Sequence, residues 1–491
     1  MRAPWTARAT AWTYAGALAA VALAARVHYH REGTVLPVDD AYITLHNADV
    51  LRAGVDPILG VPALVGATSV AHTVLVAMVG AFVRGEPGAW FTAWIGVAAY
   101  VTGVLAIAVR QRLARWEAAL LLAVALVVGE VPHQLLNGLE TGLAMGALAW
   151  CLALAEGVDP RKPPVLQPVL CGVLPFLRPE LAAATPLLLL TRWARLRRAG
   201  ALGRDRVLRD LGLCALGALP WAALELAQLG TLVPSTVRAK RLFFAEGCLP
   251  WRIRRDWTVG NLRHFSALLG SLGRVAVVLP FVAAGRTLLV FGGVVIGAYV
   301  TQFPGALAHY EHRYLYVLLP FVVAAIAEAR THRWAAVRWA ALLVAVVALD
   351  TNAPEVAARW RLHRLRVDFT RAELAGAAQW VRTALPRGAR VMVHDVGYVA
   401  YAGEHPLVDL VGLKTPAAVT LHQRYTWAQC GAGRAEAVHR LALQTLPTHL
   451  LVLDSWDAIY KIVEGLQARG WRVEPVRTGT RYLAYALTPP P

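Results

Sequence analysis

The chain has 491 residues, of which 57% are hydrophobic and only 16% are charged. A soluble globular protein carries about a quarter charged residues, so this composition excludes an ordinary soluble enzyme and indicates a membrane protein. The net charge of +18 does not indicate a nucleic-acid partner, because the excess lies in short loops between apolar segments, where basic residues set the orientation of the chain in a membrane.

Apolar runs recur along the first 350 residues at lengths that fit a bilayer, about 17–25 residues for a helix. They predict about eleven transmembrane helices, beginning with a retained first helix rather than a cleaved signal peptide. The predicted spans are residues 11–27, 90–109, 117–132, 139–156, 165–177, 180–191, 207–229, 265–284, 287–304, 313–328 and 333–350. A shorter apolar stretch at 70–83 either spans the membrane or lies in its interface.

The charge of the loops decides between these two roles for residues 70–83. If that stretch does not span, the basic loops at 110–115, 161–162, 192–209 and 330–338 share the side of the N-terminus, as the positive-inside rule requires. We therefore expect a multi-pass protein of the inner or plasma membrane, with a cytoplasmic N-terminus and an extracytoplasmic C-terminal domain. The same topology brings many ionisable residues to the outer face, and ionisable groups at membrane depth mark polar cavities.

The composition changes at Pro354, where helical and strand patterns begin to alternate. We therefore divide the chain into a transmembrane domain, residues 1–352, and a small soluble α/β domain, residues 353–491. The predicted fold class is an all-α polytopic membrane bundle followed by a C-terminal α/β domain. No glycine-rich phosphate loop follows any predicted strand, so no nucleotide site is assigned.

Asp39 and Asp40 stand side by side directly after the first predicted span, in the stretch Asp-Asp-Ala-Tyr-Ile-Thr. Adjacent carboxylates at a membrane exit serve as a general base, as metal ligands, or in a solvated turn. A Gly-Ala-Thr-Ser element follows at residues 66–69, and this order makes the pattern more specific. No cluster has dedicated metal-ligand spacing, so no cofactor is assigned, and dependence on a divalent metal stays open.

These two elements resemble motifs of the GT-C class of polytopic membrane glycosyltransferases, and more narrowly of its actinobacterial arabinofuranosyltransferase-like branch. The resemblance continues in order through nearly the whole chain. The further matching motifs are Gly138-Leu139-Glu140-Thr141, Arg178-Pro179-Glu180, Pro234-Ser235-Thr236 with Lys240, His312-Arg313-Tyr314 before Leu319-Pro320, and His394-Asp395-Val396-Gly397 with Val408-Asp409-Leu410-Val411-Gly412-Leu413. Each motif is weak alone, and their order carries the resemblance.

Two positions depart from the family pattern. The stretch beginning at Asp56-Pro57 replaces an aromatic and carboxylate segment, and His46 stands where arginine is common. Both departures lie where recognition of the acceptor or the sugar is expected, so they bear on the identity of the substrate more than on the type of reaction.

The resemblance implies a glycosyltransferase that moves a sugar, such as the pentose arabinofuranose, from a polyprenyl-phosphate donor to a cell-envelope acceptor. Transfer would occur on the outer side with inversion, and the acceptor would be a hydroxyl of a glycan, a glycolipid or a protein, in contact with membrane lipid. Asp40 is the predicted general base and Asp39 the residue that orients the sugar or the acceptor, with the reverse assignment still open.

Fixed cations must stabilise the charge that develops on the leaving phosphate. The residues predicted to bind the donor phosphate are Arg238, Lys240, His312 and Arg313. The residues predicted to contact the substrate are His72, Glu140, Arg178 and Glu180.

Structural and functional alternatives accompany these predictions. Arg178 and Glu180 flank a helix break and also fit an intramembrane ion pair. Cys248 and Cys430 fall in regions expected outside the cytoplasm, where a disulfide can form. A flippase for a lipid-linked saccharide, a non-catalytic scaffold for envelope assembly, and an enzyme with a hexose or aminosugar donor are the competing functions. The carboxylate pair favours a transferase, because a flippase needs no base.

Overall fold

The computed structural model describes residues 5–155, 163–277 and 279–491, so the basic loop predicted at 161–162 lies outside the described residues. Helices dominate the described chain as far as residue 384. They are α1 (Ala7–Glu32), α2 (Asp39–Ala53), α3 (Val70–Gly80), α4 (Glu86–Arg110), α5 (Arg115–Val127), α6 (Val131–Leu136), α7 (Thr141–Ala155), α8 (Leu166–Leu177), α9 (Ala184–Arg198), α10 (Arg204–Leu229), α11 (Ser235–Phe244), α12 (Trp251–Leu269), α13 (Ala283–Gln302), α14 (His309–Tyr316), α15 (Leu319–Arg330), α16 (Ala335–Asn352), α17 (Val356–Phe369) and α18 (Ala375–Ala384).

Six helical segments in the described part of the chain are long and apolar enough to cross a membrane. They are Ala7–Glu32, Glu86–Arg110, Arg204–Leu229, Ala283–Gln302, Pro304–Arg330 and Ala335–Ala384. Each of these segments contains most of a predicted span, which supports the assignment of the chain as a membrane protein. The predicted total of eleven spans does not follow from these lengths and stays a prediction.

The remaining apolar segments are shorter or irregular. Helices α7 and α8 are apolar but have only 15 and 12 residues. The predicted span at 265–284 is interrupted, because α12 ends at Leu269 and 3-10 turns follow at Gly270–Val277 and Leu279–Phe281. Helix α3 is about 16 Å long at a rise of 1.5 Å per residue, well short of a hydrocarbon core of about 30 Å. Its length favours the interfacial alternative for residues 70–83.

Contacts between residues divide the chain into two compact units. Unit 1 comprises Met1–Thr34, Trp90–Ala223 and Arg255–His363, and unit 2 comprises Val35–Ala89, Leu224–Arg254 and Arg364–Pro491. Unit 2 therefore contains the segment with both adjacent carboxylates and the segment with Arg238 and Lys240, together with the C-terminal residues. The domain boundary predicted at residue 353 lies between those two segments and the C-terminal residues and stays a prediction, since loops distant in sequence carry no local signal of the partner against which they pack.

A sheet of five strands forms among the described C-terminal residues, in the order β2-β1-β3-β5-β4. The strands are β1 (Val391–Val393), β2 (Leu407–Asp409), β3 (His449–Leu453), β4 (Arg472–Arg477) and β5 (Tyr482–Thr488). Strand β1 pairs in parallel with β2 and β3, whereas β5 is antiparallel to β3 and β4. The accompanying helices are α19 (Gly397–Ala402), α20 (Pro416–Leu421), α21 (Arg434–Thr445), α22 (Asp454–Tyr460) and α23 (Ile462–Gln467).

The core of unit 2 combines all three of its chain segments. Strand β1 is buried along its length, as expected for an apolar strand with a parallel neighbour on each side. Ile43 from α2 and Phe243 from α11 belong to the same buried cluster as this strand. Burial of apolar surface therefore holds α2 and α11 against the sheet of unit 2.

A buried lysine reinforces this packing in the interior of unit 2. The side chain of Lys414 is fully buried, and its Nζ donates to Asn47 Oδ1 at 2.5 Å and lies 3.2 Å from Asp56 Oδ2. The same Asp56 oxygen is 3.1 Å from His46 Nε2. Gly66 leaves room for the lysine, because a Cβ there would lie 2.7 Å from Lys414 Cγ. Burial lowers the pKa of Lys414 to about 8, with Asp56 opposing the shift, so the ammonium is mostly charged at neutral pH.

We predict that Lys414→Met lowers the free energy of unfolding by about 3–5 kcal/mol, because Asp56 would keep a buried charge without its lysine partner. Lys461→Met is the matched control, since Lys461 is two-thirds exposed and lies 3.8 Å from Glu464. The control should change stability by less than about 0.5 kcal/mol. Unfolding of the full chain in detergent measures both values. Equal stability of the two variants would contradict a structural role for the buried lysine.

Candidate functional site

The adjacent carboxylates begin α2, but they have different surroundings. The two oxygens of Asp39 accept hydrogen bonds from the backbone N–H groups of Gly397 at 2.8 Å and Tyr398 at 2.7 Å. The residue is only 6% exposed. Burial and the nearby charge of Asp395 raise the pKa of Asp39, and the two backbone hydrogen bonds oppose that shift. Asp39 therefore joins α2 to α19, and its oxygens face the protein interior.

The rest of the Asp-Asp-Ala-Tyr-Ile-Thr motif packs against the same helix. The centre of the Tyr42 ring lies 4.4 Å from the centre of the Tyr398 ring and 5.5 Å from the centre of the Tyr401 ring. The Tyr42 hydroxyl donates to Glu86 Oε1 at 2.6 Å and accepts from the Leu36 backbone N–H at 3.1 Å. A Cβ on Gly397 would lie 2.1 Å from the Asp39 carbonyl oxygen, so only glycine permits this close approach. Besides Asp40, the motif thus contains Asp39 and Tyr42, which hold α2 against α19.

Asp40 is the more open carboxylate of the pair. Its Oδ2 accepts from Lys240 Nζ at 3.1 Å, and the side chains of Asp40 and Lys240 are 18% and 14% exposed. Lys240 lies on α11, so this ion pair joins two of the motifs that the sequence singled out. A carboxylate beside a fixed ammonium is stabilised in its ionised form, which is the form that accepts a proton.

A third carboxylate belongs to the same group. Asp395 follows β1, and its Oδ2 lies 3.0 Å from His394 Nε2 and accepts from the Tyr482 hydroxyl at 2.5 Å. Burial alone would raise the pKa of Asp395, but His394 and the Tyr482 hydrogen bond hold that pKa below its usual value. The negative charge of Asp40 acts on Asp395, and the negative charge of Asp395 acts in turn on Asp39. We call Asp39, Asp40 and Asp395 the carboxylate cluster.

Metal binding at this cluster has no support from its geometry. Within residues 5–155, 163–277 and 279–491, no group of three or more His, Cys, Asp or Glu side chains is arranged to hold a metal ion.

Hydrogen bonds between two sequence motifs fix the position of α11. The Gly66 backbone N–H donates to Ser235 Oγ at 3.0 Å, and the hydroxyls of Thr68 and Thr236 are 2.9 Å apart. Thr236 and Lys240 are one helical turn apart and therefore share a face of α11. The Gly-Ala-Thr-Ser and Pro-Ser-Thr motifs accordingly hold the helix that presents Lys240 to Asp40.

The opposite face of α11 lines an open cavity of about 290 Å³. Arg238 Nη2 donates to Gln423 Oε1 at 2.7 Å, and the Arg241 guanidinium lies 4.6 Å from the centre of the Trp427 ring. The cavity is lined by Val233, Val237, Arg238, Arg241, Leu242, Gln423 and Trp427, and we call it the arginine cavity. Two guanidinium groups among apolar side chains suit an anionic head group attached to a hydrocarbon chain.

Two of the residues predicted to bind the donor phosphate thus lie in different surroundings. Arg238 lines the arginine cavity, whereas Lys240 contacts Asp40 on the other side of α11. Arg241, three residues after Arg238, was not singled out, although its helical spacing from Arg238 was a usable signal. The sequence analysis does not predict a role for Lys414, although this lysine directly follows the apolar turn 410–413, which was a signal that it is buried. Tyr482 carried no signal in the sequence.

Another group of the predicted site residues meets inside unit 1. Arg178 donates to Glu140 Oε1 at 3.0 Å and to Glu180 Oε1 at 2.6 Å. The guanidinium groups of Arg178 and Arg313 each lie 4.8 Å from the centre of the Tyr314 ring. The ion pair between Arg178 and Glu180 is thus present, and it is the structural alternative considered for these residues.

The two predicted histidines are both buried. His312, in unit 1, has Nδ1 2.6 Å from the Leu307 carbonyl oxygen and Nε2 3.1 Å from His264 Nδ1. His72 lies in the first turn of α3 in unit 2, where its backbone N–H donates to the Ser69 hydroxyl at 3.3 Å. His72 is 1% exposed and His312 is 2% exposed. Their predicted roles in binding the substrate and the donor phosphate stay predictions.

Sequence comparisons identify one region of the chain. A family model described as "Domain of unknown function (DUF8728)" matches residues 358–485. No curated protein matches the sequence significantly.

Comparison with solved structures extends over nearly the whole chain. ArnT from Cupriavidus metallidurans bound to undecaprenyl phosphate superposes with a TM-score of 0.55 at 12% identity, covering 96% of this chain and 98% of that chain. Its apo form gives a TM-score of 0.52 with the same identity and coverage. The archaeal oligosaccharyltransferase AglB from Archaeoglobus fulgidus gives 0.47 at 12% identity, covering 96% of this chain and 74% of that chain. The chain therefore shares the fold of ArnT, while the arabinofuranosyltransferase branch stays a prediction.

Proposed function

We propose that this protein is a membrane glycosyltransferase that transfers a sugar from a polyprenyl-phosphate donor to a hydroxyl of a cell-envelope acceptor on the outer side of the membrane. The donor sugar proposed from the sequence resemblance is a pentose such as arabinofuranose. The fold shared with ArnT, a protein crystallised with undecaprenyl phosphate, supports a lipid-phosphate carrier. The observation that carries the proposal is the partly open Asp40 carboxylate beside Lys240.

Asp40 fits the role of general base in a single displacement. Its carboxylate would take the proton of the acceptor hydroxyl while the acceptor oxygen attacks the anomeric carbon of the sugar. The bond from that carbon to the phosphate oxygen breaks in the same step, so the configuration inverts and polyprenyl phosphate departs. Asp39 fits this role less well, because both of its oxygens accept backbone hydrogen bonds and its side chain is buried. We therefore assign Asp39 the positioning of α2.

Lys240 can serve both the base and the donor. An ammonium group has three N–H donors, and one of them accounts for the contact with Asp40. The other two N–H groups could donate to a donor phosphate, so the predicted role of Lys240 in binding that phosphate is compatible with its ion pair. Arg238 and Arg241 lie on the opposite face of α11, so the arginine cavity is an alternative place for the one phosphate of the donor, and its apolar side chains suit the polyprenyl chain.

We predict that Asp40→Asn lowers the transfer rate by about 10²–10⁴-fold while binding of the donor is retained, because the amide keeps the shape but cannot accept the proton. Purified protein with a defined polyprenyl-phosphate sugar allows both quantities to be measured. Asp49→Asn is the matched control on the same helix, since Asp49 is 39% exposed and pairs with Arg52. The control should keep most of the wild-type rate.

Two outcomes would contradict this assignment. Transfer above about a tenth of the wild-type rate in Asp40→Asn would exclude Asp40 as the base, given the usual cost of losing one. If Asp39→Asn and Asp40→Asn are both fully active, the transferase proposal fails and a flippase for a lipid-linked saccharide becomes the better account.

Asp39→Asn should instead destabilise the protein by about 1.5–3 kcal/mol, because its amide group would place N–H donors against a backbone N–H of α19. Gly397→Ala should have a similar effect, since its Cβ would collide with the Asp39 carbonyl oxygen. Gly376→Ala is the control, because a Cβ there meets only Arg477 Nη2 at 3.6 Å. Unfolding in detergent tests all three variants. If Asp39→Asn keeps wild-type stability but loses transfer, Asp39 has a catalytic role.

Arg238→Ala and Arg241→Ala should each raise the donor KM by about tenfold or more, because each removes a charge-assisted hydrogen-bond donor to phosphate worth about 1.5–3 kcal/mol. Arg472→Ala is the control, since Arg472 is 72% exposed on β4 and contacts Glu474. Steady-state kinetics with varied donor would show the difference. Wild-type donor KM in both cavity variants would remove the arginine cavity from the donor site.

A further inference from the structure

Two cysteines far apart in the sequence meet in unit 2. Cys248 ends the 3-10 turn Glu246–Cys248 that follows α11, and Cys430 lies shortly after Trp427. The Cys248 thiol donates to the Trp427 carbonyl oxygen at 3.5 Å, and the Cys430 backbone N–H donates to the same oxygen at 3.1 Å. One carbonyl oxygen therefore fixes both residues in the same place.

The two side chains also contact each other. The thiols of Cys248 and Cys430 are within hydrogen-bond reach, and burial together with this contact raises the pKa of Cys248 to about 11. Cys430 is exposed and Cys248 is half-buried, so a reagent in solution can reach the pair. Cys430 also has a φ of 48°, a left-handed conformation that is uncommon for a residue other than glycine. Its backbone is therefore held in a specific turn that directs the side chain.

The other cysteines of the sequence provide an internal contrast. Cys151 and Cys171 also contact each other, but they lie on the apolar helices α7 and α8 in unit 1 and are both fully buried. Thiol–disulfide exchange requires access to a thiolate sulfur. Proximity alone would favour a disulfide in both pairs. Only Cys248 and Cys430 are also accessible to an oxidant, so only this pair is expected to form one.

We propose that Cys248 and Cys430 form a disulfide bond that ties the end of the α11 segment to the segment after Trp427. The inference rests on the outer placement of unit 2 in the proposed function, because disulfides persist in oxidising compartments. Arg241 and Trp427 lie on two walls of the arginine cavity and stack on each other. Arg241 is close in sequence to Cys248 and Trp427 is close to Cys430, so the bond would hold these two walls together. It would thereby limit how far the cavity can open.

The oxidant required is a protein dithiol oxidase in its disulfide form. The exposed Cys430 thiolate attacks the oxidant disulfide, which gives a mixed disulfide and releases one oxidant thiolate. The Cys248 thiolate then attacks the Cys430 sulfur and releases the second oxidant thiolate. Two thiols of this protein lose two protons and two electrons, and the oxidant is reduced to its dithiol.

Peptide mapping tests the bond directly. The full-length protein is purified in detergent without reductant, its free thiols are alkylated, and it is digested with trypsin. Cleavage after arginine gives peptides 242–252 and 425–434, each with one of the two cysteines. We expect these peptides as one linked species, 2 Da lighter than their sum, that disappears on reduction. Recovery of both peptides in alkylated form without reduction would overturn the proposal.

Variants provide the controls for this experiment. Cys214→Ser should leave the linked species intact, whereas Cys248→Ser should abolish it and leave Cys430 open to alkylation. The Tm of the wild-type protein should fall by several degrees on reduction, and the Tm of Cys248→Ser should not respond to reductant. A reductant-sensitive Tm in Cys248→Ser would assign the change to another group and contradict the proposed role of the bond.

Two further measurements separate this inference from the proposed function. The linked species should persist in Asp40→Asn, so loss of transfer in that variant leaves the disulfide testable. An alkaline phosphatase reporter fused after Thr488 reports the side of the membrane. An active reporter with free thiols would overturn the disulfide alone. In a second fusion, a green fluorescent protein that fluoresces only in the cytoplasm replaces alkaline phosphatase at the same position. An inactive phosphatase fusion together with a fluorescent green-protein fusion would overturn the outer placement of unit 2 and the disulfide with it.

Discussion

Two backbone N–H groups at the start of α19 hold the Asp39 carboxylate, and much of unit 2 depends on this contact. Because Asp39 is the first residue of α2, the contact sets where that helix begins and therefore where its neighbour Asp40 lies. Gly397 is required for it, since any Cβ would displace the α2 backbone. An acidic pair that reads as one motif in the sequence thus contains one residue that positions the chain and another that faces a partly open site.

The two departures from the family pattern, His46 and the stretch that begins at Asp56, are in contact with each other in the structure. His46 and Asp56 form a buried contact at 3.1 Å, and Asp56 also faces the fully buried Lys414. A charge at either position would be costly in the interior without the others, so the three residues form one compensated set. These departures therefore bear on how α2 is held against the turn after β2.

The sequence was informative where patterns are local. Long apolar runs predicted six segments that are long and helical in the structure, and the ordered motifs placed Asp40 and Lys240, which form an ion pair, in one site. They did not predict that the residues after β1 belong to the same unit as α2 and α11. Helical spacing alone puts Arg238 and Lys240 on opposite faces of α11. The sequence could not show which of the two faces meets Asp40, because that follows from the contacts of Ser235 and Thr236 with residues 66–68. It could not distinguish Asp39 from Asp40 either. That distinction arises from Gly397 and Tyr398, which are more than 350 residues away in the chain.

The ion pair between Asp40 and Lys240 connects the two substrates of the proposed reaction. With no donor present, Lys240 lowers the free energy of the ionised carboxylate, which makes Asp40 a weaker base. A donor phosphate that engages Lys240 would draw positive charge away from Asp40, and the affinity of Asp40 for a proton would then rise. The base would thus be strongest when a donor phosphate is already in contact with Lys240. Binding of the donor and removal of the acceptor proton would in this way be linked through one ten-residue helix.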